Sequence, residues 1–365
     1  MAENKNQHYV PQSYQRHFSD DGKNTGVYIL KAKKYIASSK IQHQASKDYF
    51  YSKDLVIEHE LSKLEGWADV AIKSVLSNPK RNLTPEERKI LYVNMMLQAG
   101  RTFSQVRLVE ALFTEITQQL MAADKRVDDE YHNGKYDGIT EEDIANVEIK
   151  LTEPGKFVVG NIIKLMGECE DLSLRMLINK TEVPFITSDN PVCLFNQFLE
   201  KIGENTIGLA QRGLQLYMPI SSRVALIYYD DKVYNVGSKL QEYVEVSKPN
   251  DIKELNKLII SQANEILMIQ DSMSSQLDFD EIQAVYETYH HGKLVEGVSE
   301  RVADNEDNLN TIIGFIQNRK DCHCKLSFVK MRPPYITTTS ATFDKERHMY
   351  RKPIKRWSIE TDIPE

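Results

Sequence analysis

The period of the apolar positions changes several times along the chain, and each change predicts a different element. Residues 26–38 (GVYILKAKKYIAS) alternate β-branched and aromatic positions around a lysine-rich centre, which predicts a hairpin. From Asp54 the spacing becomes helical: Leu55, Leu61, Leu64, Trp67, Ala68, Ala71, Ile72, Val75 and Leu76 form one apolar stripe. Thr84, Pro85 and Glu87 then carry the marks of a helix start: an N-cap, a first-turn proline and a capping-box acid. The helix they open is expected to run from 85 to about 123, bent at Gly100. Residues 124–143 are acidic and contain glycine, which predicts a linker or mobile loop, and a third helix is expected at 155–168.

The pattern then turns to strands. LSLRMLINK, PFITSD, LQLYMPI and RVALIYYD are short apolar runs separated by turns at 182–184, 189–191 and 219–223. Residues 249–270 return to a helical period with Asn250 or Asp251 as cap, and a shorter helix ends near Gly292. KLSFVKM is the last strand candidate before Pro333–Pro334 and a basic tail. This order predicts an α+β fold: an N-terminal arm and hairpin, a long helical segment, a central mostly antiparallel sheet, then a C-terminal helix and basic tail. The expected division is one composite domain over 1–318 (1–52 arm and hairpin, 53–170 helical, 171–318 sheet and helices), followed by the segment 319–365.

Composition sharpens this picture. The 365 residues are 41% hydrophobic and 27% charged, enough for a sizeable core and unlike a disordered chain. No apolar run approaches the roughly 18 residues of a membrane span, so no membrane partner is expected. The opening MAENKNQ lacks the cationic and apolar pattern of a secretory signal. Cys169, Cys193, Cys322 and Cys324 are too few for a disulfide framework and read as free thiols in a reducing cytoplasm. The net charge of −7 is uneven: residues 319–356 hold eleven Lys/Arg against three acids, +8, which leaves −15 on the rest. Such a segment could contact nucleic acid, or dock on an acidic surface of this chain or of a protein partner.

Three stretches carry candidate chemistry. In PFITSDNPV, Thr187, Ser188, Asp189 and Asn190 follow a strand and precede a proline. Asx side chains and proline make a tight turn there, while the same residues place a carboxylate, an amide and two hydroxyls where a ligand could be met from a rigid base. Asp189 could bind a cation through oxygen or orient a histidine. In HYVPQ, His8 and Gln12 belong either to a pinned structural arm or to a site. In LQAGRTF, Gln98 and Arg101 lie on an otherwise apolar helix, where Arg101 either joins an ion pair or clamps a phosphate. Cys322-His323-Cys324 lacks the spacing of a zinc site, and His290-His291 suits a helix C-terminus. There is no GxxxxGK[ST], GxGxxG or GxSxG, so no nucleotide or organic cofactor is expected.

Two resemblances attach to these residues. QHYVPQ resembles the acid-His-x-x-Pro opening of HNH-type nucleases, in particular the EHILPQ of one branch of modification-dependent restriction enzymes. It departs from that pattern at Gln7, where an acid is expected. Asn24 and His43 are candidates for the later Asn and His, but the predicted hairpin lies where that fold needs a metal-binding helix. The ordered set HYVPQ with Tyr14 and Phe18, Val27-Tyr28, KDYFY (47–51), Glu86-Glu87-Arg88, Gln98, Arg101-Thr102, FITSDNPV (185–192) and MPIS (218–221) also resembles a bacterial family catalogued as a domain of unknown function, over roughly 7–270. The positions it marks are His8, Gln12, Arg101, Thr187, Ser188, Asp189 and Asn190.

Two functions follow as expectations. The first is a metal-assisted nuclease or phosphodiesterase, an anti-phage defence effector, using Mg²⁺ or Mn²⁺. In it His8 is the general base, Asp189 the metal ligand or orienter, and Arg101 the phosphate clamp. Gln12, Thr187, Ser188, Asn190, Arg351 and Lys352 bind substrate. The second is a non-catalytic binding or regulatory module that docks a protein partner through its helices and basic tail. A hydrolase using Ser188 lacks a base. The first requires His8 and Asp189 to converge.

Overall fold

The arm that opens the chain is built into the core. Asn6–His8 (β1) lead to a short helix, Gln12–Gln15 (α1), and to the hairpin of Asn24–Ile29 (β2) and Lys34–Lys40 (β3); Ser46–Asp48 (β4) then returns to pair antiparallel with β1. The hairpin is two residues longer at each end than the alternation predicts. The computed structural model describes residues 5–53, 55–132, 134–203, 207–290, 295–305, 308–317, 322–342 and 349–351. Tyr9, Val10, Tyr14 and Phe18 are buried, so apolar area removed from water, of order 2 kcal/mol for each large side chain, holds the arm down.

The helical part follows as Val56–Ser77 (α2), Pro85–Gly100 (α3), Phe103–Tyr131 (α4), Glu141–Ala145 (α5) and Pro154–Leu165 (α6). The capping box at Thr84 is formed: its hydroxyl accepts from the Glu87 amide at 3.2 Å, and the Glu87 carboxylate accepts from the Thr84 amide at 2.9 Å. The expected bend at Gly100 is a full break, with Arg101 as C-cap of α3 and Thr102 as N-cap of α4. Gly100 is there because a Cβ would overlap the Ile162 side chain of α6. Helix α4 also continues through much of the stretch read as a linker. No glycine or proline interrupts it before Gly134, and buried Asp128 accepts the amides of Lys135 and Tyr136 at 3.0 and 2.9 Å, which folds the return loop against the helix.

The sheet region begins with Ser173–Asn179 (β5), Thr187–Ser188 (β6) and Cys193–Phe195 (β7). After helix Gln197–Ile202 (α7) come Gln215–Pro219 (β8), Val224–Tyr229 (β9), Tyr234–Val236 (β10) and Tyr243–Val246 (β11). Five of these strands lie in the order β11-β5-β9-β8-β7, antiparallel except for the β11–β5 pair. The period of two assigns the faces of β9. Val224, Leu226 and Tyr228 pack with the arm, α3 and α6, whereas Ala225, Ile227 and Tyr229 join the second core cluster. Both faces are covered, so the strand reads as one apolar run.

The expected helix over 249–270 is corrected. Pro249–Gln262 (α8) ends before a turn, and Ile266–Ile269 (β12) is a strand between β2 and β6 in a second sheet of order β3-β2-β12-β6. A short apolar run suits a buried strand as well as a helix; tertiary pairing decides here. Phe279–Tyr289 (α9) follows, then a long hairpin of Val295–Asn305 (β13) and Asn308–Gln317 (β14) that the periodicity did not predict. Of KLSFVKM only Val329–Met331 (β15) is a strand, paired with β10. These elements establish the α+β fold.

Two glycines give a paired test. Gly100→Ala should cost about 1–3 kcal/mol by overpacking. Gly66→Ala, in α2 with open space at its Cβ position, should gain up to about 1 kcal/mol. Urea unfolding of the two variants checks both signs.

Candidate functional site

The TSDNP segment joins three parts of the chain. Asp189 is buried, and its two carboxylate oxygens accept the amides of Asn264 and Glu265, each at 2.8 Å. These are the residues that separate α8 from β12. Asn190 accepts from the Thr102 hydroxyl at 3.0 Å and donates to the Gln262 carbonyl at 2.9 Å, linking the start of α4 to the end of α8. Ser188 accepts the Asn190 amide at 3.0 Å, the Asx/Ser turn chemistry that the sequence allows. Tyr14 donates to the Pro219 carbonyl at 2.6 Å, so the Thr187 hydroxyl, 2.7 Å away, is the donor to the Tyr14 oxygen. Burial pushes the Asp189 carboxyl up to about 6, against the lowering effect of the two amides it accepts.

His8 lies elsewhere. Along an extended segment neighbouring side chains point to opposite faces. Gln7 points inward, taking the Tyr51 amide at 2.6 Å and donating to the Ser52 carbonyl at 2.8 Å. An acid at this position could accept the first of these bonds but, ionised, could not donate the second, which accounts for the departure from the nuclease-like pattern. The His8 ring faces the Ile41–Gln42 backbone, near Arg16 and His43. Burial lowers its basicity, and its Nε2 is buried with no hydrogen-bond partner among the described residues. No hydrogen bond or ion pair among the described residues joins His8 to Asp189. It is Tyr9 that faces the Asp189 carboxylate electrostatically, burial and that charge together raising the phenol. The required convergence is not formed by contact.

Arg101 centres a second cluster. It is 1% exposed, donates through Nε and a terminal nitrogen to Gln98 Oε1 at 3.1 and 3.0 Å, and meets Glu65 Oε1 at 2.7 Å. Gln98 in turn donates to the Tyr9 carbonyl at 2.9 Å, so the arm, α2 and α3 share one polar junction. Burial works against the guanidinium charge, and Tyr51, Glu65 and Glu58 more than offset it. Glu58, half-buried on the same α2 face two turns before Glu65, is pushed up to about 7 by burial and by the Glu65 charge, with Arg101 opposing. The sequence reading passed over both glutamates. Their signal was the seven-residue spacing, which puts two acids on a helix face otherwise turned toward the core.

The other predicted residues are dispersed. Gln12 accepts from Arg16 one turn on, at 3.3 Å. Arg351 is buried; it meets Asp171 at 3.0 Å and donates to the carbonyls of Gln211, Glu168 and Leu209, which ties residue 351 to the segments around β5 and β8. Lys352 lies outside the described residues, as do 319–321, 343–348 and 353–356 of the basic segment. Cys322 and Cys324 are buried free thiols and exposed His323 pairs with Glu200. Among the described residues no three His, Cys, Asp or Glu side chains are grouped to hold a metal ion, and no helix is long and apolar enough to cross a membrane. Two surface grooves lie elsewhere, one of about 360 Å³ along α4 and α5 and one of about 600 Å³ between α7 and 323–331.

An α+β chain in which an N-terminal arm, a helical layer and two sheets meet at a buried Asp-Asn turn and a buried arginine is the class of protein described by this fold. It belongs to the family described as Protein of unknown function (DUF4238), whose sequence model matches residues 6–273. No curated protein and no solved structure matches the chain.

Asp189→Asn tests the turn. An amide can accept one of the two N–H groups but meets the other with its own donor, so a loss of about 1–3 kcal/mol at pH 7 is expected. The folded carboxyl keeps its proton to higher pH than the unfolded one. Protonation therefore adds an increment of stability that is largest at low pH and is lost as pH rises from about 4 to about 6, while the bonds to the two amides remain above that window. Denaturant titrations across that window should show this slope in the wild type and its absence in the variant.

Proposed function

We propose that this chain is a binding module that docks an amphipathic helix of a protein partner along the exposed apolar positions of α4, Leu120, Val127 and Tyr131. The observation that carries this reading is the course of the apolar stripe on that helix. Val106, Val109 and Phe113 pack against the body, and Phe113 meets Phe157 of α6 edge to face at 5.7 Å. Leu120, Val127 and Tyr131 continue the same stripe, spaced by seven and four residues and so within about 20° of one line on the helix, yet they are 54%, 46% and 68% exposed. An apolar stripe that stays exposed beyond its contact with α6 has the form of a helix-in-groove or helix-pairing surface. The hydrogen bonding of Arg101, Asp189, Ser188, Asn190 and Arg351 supports the same reading, since these side chains serve the scaffold.

A photo-crosslinking residue at position 120 or 127 in the native host should capture one and the same protein, identified by mass spectrometry. The same residue at Leu240, 95% exposed, should not. Leu120→Glu with Val127→Glu should abolish the capture without moving the melting temperature. Equal labelling from position 240 removes this reading.

A second reading is favoured by Glu58. A half-buried carboxyl at about 7 beside a glutamate held by a buried arginine has the form of an acid–base pair suited to hydrolysis at neutral pH. On this reading Glu58 moves the proton, Glu65 is held in place by Arg101, and the substrate class is the phosphodiester of a nucleic acid or nucleotide, with Mg²⁺ or Mn²⁺ supplied in solution. Glu58→Gln should lower cleavage of a short oligonucleotide at least 100-fold with the fold intact. Absence of wild-type cleavage between pH 5 and 9 with either metal removes the reading.

A further inference from the structure

The turn between α8 and β12 is held on one side by the Asp189 carboxylate. It is held on the other by His290, the residue that ends α9. The His290 Nε2 lies 2.7 Å from the Ala263 carbonyl oxygen, and its Nδ1 lies 3.0 Å from the carbonyl oxygen of Tyr286. A neutral imidazole has one N–H and one lone pair. With either tautomer, the bare nitrogen would point its lone pair at a carbonyl oxygen. Only the doubly protonated ring donates on both sides.

An aromatic ring lies beside the imidazole. The ring lies 4.2 Å from the Tyr286 ring, tilted by 30°, within the range over which a cation is attracted to an aromatic face. Tyr286 itself faces Arg107 on α4, Asp189 in the β6 turn and Glu265 in the turn itself, with Arg107 the strongest of the three. Arg107 is also held by the turn, donating to Asn264 Oδ1 at 2.8 Å. Tyr289 shares the last turn of α9 and is raised by burial. Ala263, Asn264 and Glu265 are therefore gripped through one carbonyl, one side chain and two amides by His290, Arg107 and Asp189.

We propose that His290 is an imidazolium at neutral pH and acts as a proton-operated latch, fastening the end of α9 to the α8–β12 turn. Deprotonation removes one of the two donors, leaves a lone pair facing a carbonyl, and loosens α9 from the turn. The sign follows from linkage. A ring whose charged form is favoured by the fold contributes stability that is complete below about 6.5 and is lost as pH rises through its folded value. This window lies above the one set by Asp189, so the two groups are separable by pH.

The test is a long-range proton–nitrogen NMR titration of the full chain with labelled histidine, the His290 resonance being assigned through its contacts with Tyr286. Both ring nitrogens should carry protons at pH 7.5, and the midpoint should lie at least one pH unit above the roughly 6.5 of a free imidazole. In parallel, the fall in melting temperature between pH 6.5 and 8.5 should be smaller in His290→Gln than in the wild type. A neutral ring with a single N–H at pH 7 overturns the proposal, as does a His290→Gln profile that tracks the wild type. The NMR measurement is made on the wild type, so the outcome does not depend on the variant folding.

Discussion

The structure depends on one buried carboxylate. Asp189 accepts two consecutive backbone amides, and those amides belong to the residues at which the chain must stop being helix α8 and become strand β12. The donors lie on a half-buried and an exposed residue of the turn, Asn264 and Glu265, while the carboxylate that accepts them is buried. Strand β12 then lies between β2 of the N-terminal hairpin and β6, the strand that carries Asp189's neighbours. One acid therefore sets the register between segments that are more than 70 residues apart. Its raised pKa is the signature of that position, with burial outweighing the two hydrogen bonds that oppose it.

Arg101 has a comparable role in the adjoining helical layer. It caps α3, spans to Glu65 of α2, and holds Gln98 in the orientation that lets the amide reach the Tyr9 carbonyl. The N-terminal arm is thereby tied to the helices through polar bonds as well as through its aromatic side chains. A buried guanidinium survives because a carboxylate and an amide oxygen satisfy it; removing one partner would leave an uncompensated charge, the costly case for buried ion pairs. The conflict left in the cluster is at Glu58, which shares the junction with Glu65 and is pushed toward neutrality.

Much of the secondary structure could be read directly. The capping box at Thr84 is a local bond pattern between residues three apart, so sequence alone reveals it. The same holds for the alternation in β2 and β9 and for the stripe of α2. The reading failed where a local pattern had two physical solutions. Glu265–Gln270 is apolar at spacings a helix accepts, and only pairing with β2 and β6 makes Ile266–Ile269 a strand. Residues 124–131 look like a charged linker, and only the Asp128 bonds to the returning loop show how the helix ends.

The sequence by itself determined the α+β order of elements and the Asx/Ser turn chemistry around Asn190, because each follows from side-chain periodicity or from bonds between near neighbours. It also marked the residues that matter, since buried acids, amides and arginines are too costly to keep without a task. Only the tertiary structure decided what the task is. His8 and Gln7 point to opposite faces of the arm, Asp189 meets backbone amides, and Arg101 meets Glu65. Those outcomes depend on which segments are brought together across tens to hundreds of residues, and desolvation and hydrogen-bond partners exist only once they are.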